Sequence, residues 1–177
     1  FTATSATDAN GVTVYNQGKC TVNSGVFDAP GFTLMNTGNA DMTVTGGTVK
    51  CGGIKTGYAL MAAGSAAKLT VSGGDIEAIQ SIGGAQVNIS GGSVYCEGVY
   101  YALYNGGGNT SISGGYFYSP TGKNIYVASG TVKTTGGYFS DKSAPLESGY
   151  KFQDISVTEN GNQYNYQVVS ELSLIHI

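Results

Sequence analysis

Two carboxylates and one lysine are the residues whose spacing comes nearest to acid–base chemistry on a sugar. Asp75 and Glu77 flank one apolar residue in an alternating segment, so both are expected on the outward face of a strand. Enzymes that cleave acidic polysaccharides add calcium or a cation that holds the substrate carboxylate. The chain has no arginine, and Lys50 aligns with Glu77 one repeat earlier. A surface ion pair of at most about 1 kcal/mol is therefore favoured, and no catalytic residue is predicted.

The other nucleophile and metal patterns are weak. Ser65 and Lys68 have Ser-x-x-Lys spacing, but the two further motifs of penicillin-recognising enzymes are missing. Cys51 and Cys96 occupy the same position two repeats apart, which predicts about 9.6 Å between their Cα atoms, too far for a disulfide. Together with Cys20 they are interpreted as buried small apolar residues. No metal site and no cofactor is predicted.

Four tyrosines give the most specific functional hypothesis. Tyr95, Tyr116, Tyr118 and Tyr138 lie one or three residues after a Gly-Gly pair in consecutive repeats, so they are expected to share one outward face. Exposed aromatic rings stack against the apolar faces of sugars, which predicts a glycan-binding surface. The alternative is that the rings only pack against each other along the strands.

The composition excludes other classes of partner. Only 11% of the 177 residues are charged, the net charge is −3, and no basic run follows the pattern of a nucleic-acid-binding segment. No apolar stretch reaches the roughly 18 residues of a membrane span. Neither nucleic acid nor membrane insertion is predicted for this segment.

A repeat centred on Gly-Gly or Ser-Gly indicates the strands that must position these residues. It occurs at residues 21–27, 43–49, 70–76, 88–94, 111–117 and 133–139. The second glycine advances by about 22 residues on average, which is the length of a coil with three short strands and three turns. The apolar residues three before and two after that glycine predict two inward columns, with glycine at the corner between them.

A third strand is predicted in most repeats, at residues 12–15, 32–35, 58–61, 101–104 and 125–127, with Leu34, Leu60 and Leu103 pointing inward. Asn16, Asn36 and Asn105 follow at one equivalent position, where side-chain amides are expected to bond from coil to coil.

The end of the chain departs from the repeat. Residues 151–159 and 163–169 flank Asn160-Gly161, a strong hairpin signal, and this hairpin is expected to cover the last coil. Residues 172–177, which include the single histidine His176, resemble translated sequencing-adapter sequence, although a genuine apolar strand is the alternative. The predicted division is therefore 1–145 for the coils, truncated at the N-terminus, 146–171 for the capping hairpin and 172–177 for a non-native tail.

The Ile-Ser-Gly-Gly motif and its spacing resemble the Gly-Gly-rich right-handed parallel β-helix repeats of secreted or surface proteins from gut Firmicutes, within the pectate-lyase-like superfamily. The resemblance implies an all-β, single-stranded right-handed parallel β-helix of about six coils and an extracellular or cell-surface location. Because this fold serves many functions, the activity must be argued from the site.

The predicted function is a non-catalytic β-helix module that binds a polysaccharide or a host or cell-wall glycan through the tyrosine face. One alternative is a purely structural stalk or spacer of a surface protein. Another is a fragment of a polysaccharide lyase whose active site lies in missing coils.

Overall fold

The computed structural model describes residues 12–52, 57–98, 101–120 and 123–174, so predictions that concern residues 1–11 or His176 lie outside the described residues. The described residues form 18 strands and one short 3-10 helix, Glu171–Leu174. In chain order the strands are β1 (Val14–Asn16), β2 (Lys19–Val22), β3 (Val26–Asp28), β4 (Leu34–Thr37), β5 (Asp41–Val44), β6 (Thr48–Lys50), β7 (Leu60–Ala63), β8 (Lys68–Val71), β9 (Asp75–Glu77), β10 (Ile79–Ile82), β11 (Gln86–Ile89), β12 (Ser93–Tyr95), β13 (Leu103–Ile112), β14 (Tyr116–Tyr118), β15 (Ile125–Thr134), β16 (Tyr138–Phe139), β17 (Tyr150–Glu159) and β18 (Asn162–Ser170).

Strands β1 to β16 stack in three parallel columns, which makes the molecule a parallel β-solenoid of about five turns. The first column holds β1, β4, β7 and β10, the second holds β2, β5, β8 and β11, and β13 and β15 each run through both. The third column holds β3, β6, β9, β12, β14 and β16. The predicted parallel β-helix is confirmed, with a coil count close to the six expected.

The two inward columns around the Gly-Gly corners are also confirmed. Neighbouring coils place equivalent residues of the second and third columns in the core, in register with each other. All twelve predicted positions are buried: Val22, Val44, Val71, Ile89, Ile112 and Thr134 in one column, and Phe27, Val49, Ile76, Val94, Phe117 and Phe139 in the other. Leu34, Leu60 and Leu103 complete the core from the first column. Burial of these ladders is the main source of stability.

The two glycines of a Gly-Gly corner are required for different physical reasons. A Cβ on Gly73 would lie 2.3 Å from the carbonyl oxygen of Thr45 in the preceding coil, so the first position has no room for a side chain. Gly74 has φ = +91°, a conformation that L-residues rarely adopt. The corner therefore depends on close stacking as well as on backbone conformation.

Four strands of the first column, β1, β4, β7 and β13, each begin two residues later than predicted, whereas β15 begins at Ile125 as predicted. β10 has no counterpart among the strands predicted from the sequence. Only Ala78 separates β9 from β10, and its φ of +60° lets the chain turn in a single residue. This turn contains none of the glycine that marks the other corners, which is why the pattern did not reveal it.

The predicted asparagine ladder forms in part. The side-chain amide of Asn16 donates to Oδ1 of Asn36 over 2.8 Å, as expected. Asn105 has the same register position, but Ala62 and Ser81 occupy the two coils between it and Asn36. Its amide instead donates to the carbonyl oxygens of Gly108 and Ser129.

The hairpin forms around Asn160-Gly161 as predicted. β17 pairs with β18, and β18 pairs antiparallel with β16, so the hairpin extends the third column. Phe152 of β17 packs edge-on against Phe139, with ring centroids 6.1 Å apart, while Val168 of β18 is buried in the core. The hairpin thus closes one end of the core, as expected.

Thr134 is the polar exception in the apolar columns, and it supports a stability prediction. Its side chain is 0% exposed, and its hydroxyl has no hydrogen-bond partner among the described residues. Thr134→Val keeps the shape and removes the unpaired hydroxyl, so we expect the free energy of unfolding to rise by about 1 kcal/mol. Urea unfolding measures this change. Thr21→Val, on the exposed face of β2, is the matched control, and a loss of stability in Thr134→Val would contradict the prediction.

Candidate functional site

The outward face of the third column carries the residues that the sequence analysis singled out. Asp75, Ser93 and Tyr116 are in register on neighbouring strands, and Tyr138 continues this row into the last coil. Tyr95 is in register with Tyr118 on the next strand in a second row. Period-two alternation therefore brings the acidic and aromatic residues onto one face.

The hairpin folds back across this face, which the sequence analysis did not predict. The side-chain amide of Asn160, at the hairpin turn, donates to Oδ1 of Asp75 over 3.0 Å, linking residues that are 85 positions apart. Tyr164 of β18 is fully buried against Tyr116 and Tyr118, with ring centroids 5.2 and 6.4 Å apart. The tyrosine face is thus partly covered by the hairpin.

The hairpin turn forms one wall of a cleft of about 550 Å³, a volume typical of small-molecule sites. We call this the hairpin cleft. It is lined by Thr48, Lys50, Asp75, Ser93, Tyr95, Cys96, Glu97, Tyr118, Pro120, Asn160 and Asn162. A smaller depression of about 380 Å³ lies along the Gly-Gly corners and is lined in part by Tyr116, Glu159 and Asn160.

The four predicted tyrosines have different surroundings on this face. Tyr95 and Tyr118 line the hairpin cleft, and Tyr116 lines the smaller depression. Tyr138 stacks on Tyr116, with centroids 4.8 Å apart and ring planes 13° apart. All four are partly buried. Their role in glycan binding stays a prediction, and Tyr95 and Tyr118 are the two that a ligand in the cleft would meet.

The hydroxyl of Tyr95 lies in a negative electrostatic environment. Burial, followed by the charges of Glu77, Glu97 and Asp75, raises the pKa of Tyr95 well above its usual range. The hydroxyl therefore remains protonated across the physiological range and is available as a hydrogen-bond donor.

This raised pKa predicts a change at alkaline pH. Above about pH 10 the unfolded chain loses the Tyr95 proton while the folded state still retains it. The free energy of unfolding therefore keeps its full value below about pH 10 and falls as the pH rises above that value. We expect the stability of Tyr95→Phe to fall less steeply above about pH 10. Urea unfolding at several pH values measures this, with Tyr15→Phe at an exposed position as the control. Identical pH profiles for Tyr95→Phe and the parent chain would contradict the expectation.

The prediction that Glu77 is a surface residue paired with Lys50 is wrong. Glu77 is only 5% exposed, and its Oε2 accepts a hydrogen bond from the backbone N–H of Cys51 over 3.0 Å. The one-residue turn at Ala78 leaves no loop after β9, and the carboxylate lies against the loop of the preceding coil instead. Ion pairs in the described residues join Lys133 to Glu147 and Lys142 to Asp154.

The cysteines form no disulfide among the described residues. Cys51 and Cys96 are buried as predicted, whereas Cys20 in the first coil is only half-buried. Burial, the charge of Glu77 and a hydrogen bond to that carboxylate all raise the pKa of Cys51 well above its usual range. Its thiol is therefore kept protonated and is a poor nucleophile.

A second group of tyrosines was not predicted from the sequence. Tyr126 of β15 stacks on Tyr101, with centroids 4.6 Å apart, and on Tyr104 at 5.8 Å, on the outer surface of the first column. Nζ of Lys123 lies 5.7 Å from the Tyr126 ring. The signal was present, because the predicted strands of two consecutive coils each carry an outward tyrosine.

In the part of the chain that the structure describes, no group of three or more histidine, cysteine or acidic residues is arranged to hold a metal ion. No helix in these residues is long and apolar enough to cross a membrane.

The chain is a parallel β-solenoid, and its hairpin forms one wall of a polar cleft that is lined by tyrosines. The cleft offers ring faces, a hydroxyl donor, side-chain amides and charged groups to a ligand. Comparison with family models, with curated proteins and with solved structures found no match.

Proposed function

We propose that the chain is a non-catalytic module of a secreted or cell-surface protein and that it binds a polysaccharide or glycan in the hairpin cleft. The observation that supports this most directly is the presence of Tyr95 and Tyr118 beside Asn160 and Asn162 in one cleft. A sugar ring has an apolar face and a polar edge, so its binding sites combine aromatic rings with hydrogen-bonding side chains.

The proposed location has a different basis. Placement outside the cell follows from the resemblance of the Gly-Gly repeats to those of secreted and surface proteins. The low content of charged residues and the abundance of glycine and tyrosine are compatible with it.

A structural stalk or spacer is the second candidate, and the packing of the tyrosines favours it. Tyr116 lies between two aromatic contacts, the stacked ring of Tyr138 and the edge of Tyr164. Such contacts stabilise neighbouring strands without any ligand, so part of the aromatic face has a sufficient structural reason.

Affinity electrophoresis of the full chain through gels that contain pectin, mucin or arabinoxylan tests the proposal, with a gel lacking glycan beside each. Tyr95→Ala/Tyr118→Ala is the test variant. Tyr104→Ala/Tyr126→Ala is the control, because it removes two partly exposed tyrosines of the first column. We expect at least one glycan to retard the parent chain and the control, and the test variant to lose about tenfold or more in affinity.

Other outcomes would separate the alternatives. Absence of retardation by every glycan would overturn the proposal and favour the stalk. Loss of retardation only in the Tyr104→Ala/Tyr126→Ala variant would assign binding to the first column instead of the cleft. Release of unsaturated sugar from any gel would contradict a non-catalytic role and favour the lyase. Circular dichroism of both variants distinguishes lost contacts from lost folding.

A further inference from the structure

The hairpin cleft carries more negative than positive charge. Asp75 and Glu97 line it, against Lys50 as the single cation in its lining. Glu159 lines the adjoining depression, and Glu77 is buried on the same strand as Asp75. A ligand in the cleft therefore meets a field dominated by carboxylates.

The carboxylates act on one point of the cleft. Glu77, Glu97 and Asp75 are the charged groups that most perturb the hydroxyl of Tyr95, beside which a ligand would lie. They are contributed by β9 and by the residues that follow β12. Tyr95 is in register with Glu77 on the neighbouring strand, so negative charge from two coils acts beside the aromatic ring.

A buried polar group in the same region lacks a partner. Tyr164 is 0% exposed, and its hydroxyl makes no hydrogen bond within the described residues. Ser93 and Asn162, which both line the cleft, act on the pKa of this hydroxyl without forming a well-directed hydrogen bond to it. Such unpaired buried groups are uncommon in folded proteins.

We propose, on the basis of the glycan-binding function above, that the hairpin cleft selects sugars with a free amino group over neutral and acidic sugars. The ammonium of an amino sugar lies between the carboxylates of Asp75 and Glu97. The ring of Tyr118 packs against the apolar face of the sugar, and the Tyr95 hydroxyl donates to a ring substituent. A uronate in the same position brings its negative charge against these carboxylates and is disfavoured.

The test compares three oligosaccharides of equal length: a glucosamine oligomer, its fully N-acetylated form and a galacturonic acid oligomer. Acetylation removes the charge of the amine and keeps the sugar ring, so the first two form a matched pair. Isothermal titration at about pH 6 and low salt, where charges are least screened, measures the three affinities. We expect the glucosamine oligomer to bind about tenfold more tightly than the N-acetylated one, the galacturonic acid oligomer to bind most weakly, and added salt to reduce the preference.

Asp75→Asn/Glu97→Gln is the test variant. An amide at position 75 still provides an oxygen that accepts from Asn160, so the hairpin contact is preserved while two charges are removed. We expect the preference for the free amine to fall to about threefold or less. Glu171→Gln, an exposed acid on the 3-10 helix, is the control that leaves the preference unchanged.

The outcomes distinguish this inference from the proposed function. Binding of the N-acetylated or galacturonic acid oligomer as tightly as the glucosamine oligomer, with dependence on Tyr95 and Tyr118, would overturn the selectivity and keep the glycan-binding function. A preference that survives in Asp75→Asn/Glu97→Gln would also overturn it. Absence of binding by all three oligomers would overturn the selectivity, and only the further absence of retardation by every glycan in the gels above would overturn the glycan-binding function as well.

Discussion

Replacing Gly73 with alanine is expected to lower the free energy of unfolding by about 2 to 4 kcal/mol. The added Cβ would lie 2.3 Å from the carbonyl oxygen and 3.0 Å from the carbonyl carbon of Thr45. Both are backbone atoms of the preceding coil, so the clash is relieved only if the two coils move apart. Separation of the coils would also disturb Val71 and Ile76, which are buried on either side of this corner.

Gly18→Ala is the matched control for this substitution. A Cβ on Gly18 meets no atom within 4 Å, so we expect stability to change by less than about 0.5 kcal/mol. Urea unfolding of both variants and of the parent chain, followed by circular dichroism, measures the difference. Equal stability of the two variants would contradict the close stacking of coils at the Gly-Gly corner.

The sequence was sufficient to predict those features of the fold that repeat. Val71 and Ile76 recur in equivalent form in every coil, and each recurrence reinforces the assignment of an inward column. Asn160-Gly161 was identified because asparagine and glycine readily adopt the positive φ values that a tight hairpin turn needs. The structure has φ values of +49° and +76° at these two residues. Periodicity and local turn chemistry are both readable without knowledge of distant contacts.

Glu77 shows where periodicity fails. Alternation correctly places Glu77 two residues after Asp75 on the same strand, and it predicts that both are exposed. The burial of Glu77 depends instead on the loops of the neighbouring coils, and above all on the turn at Ala78, which is a single residue long. Loop length differs from coil to coil, so a rule derived from the repeat does not account for it.

The hairpin cleft could not be predicted from the sequence for a related reason. The hairpin was predicted as an element, but its contact with Asp75 joins residues 85 positions apart and has no repeating counterpart. Half of the predicted aromatic face, Tyr95 and Tyr118, is found in the cleft, while Tyr116 and Tyr138 stack on each other. The prediction therefore found the correct face without the element that shapes it.

Tyr164→Ala is expected to detach the hairpin turn from the solenoid and to cost about 3 to 5 kcal/mol where the hairpin unfolds together with the coils. The ring of Tyr164 is fully buried and meets the rings of both Tyr116 and Tyr118. Without it, the side-chain hydrogen bonds from Asn160 to Asp75 and from Asn165 to the carbonyl oxygen of Ser140 still hold the segment, and exposed hydrogen bonds of this kind are weak. Amide hydrogen exchange at residues 160–165 and urea unfolding together measure the change.

Tyr164→Phe is the control, because it keeps the ring contacts and removes only the unpaired hydroxyl. We expect it to remain within about 1 kcal/mol of the parent chain and to retain slow exchange at the hairpin turn. The comparison also bears on the cleft, since a detached turn removes the wall that carries Asn160 and Asn162. If the cleft binds a glycan, Tyr164→Ala therefore loses affinity while Tyr164→Phe keeps it. Slow exchange at residues 160–165 in Tyr164→Ala would mean that the hairpin is held by its pairing with β16 alone, and Tyr164 would then lose its assigned role.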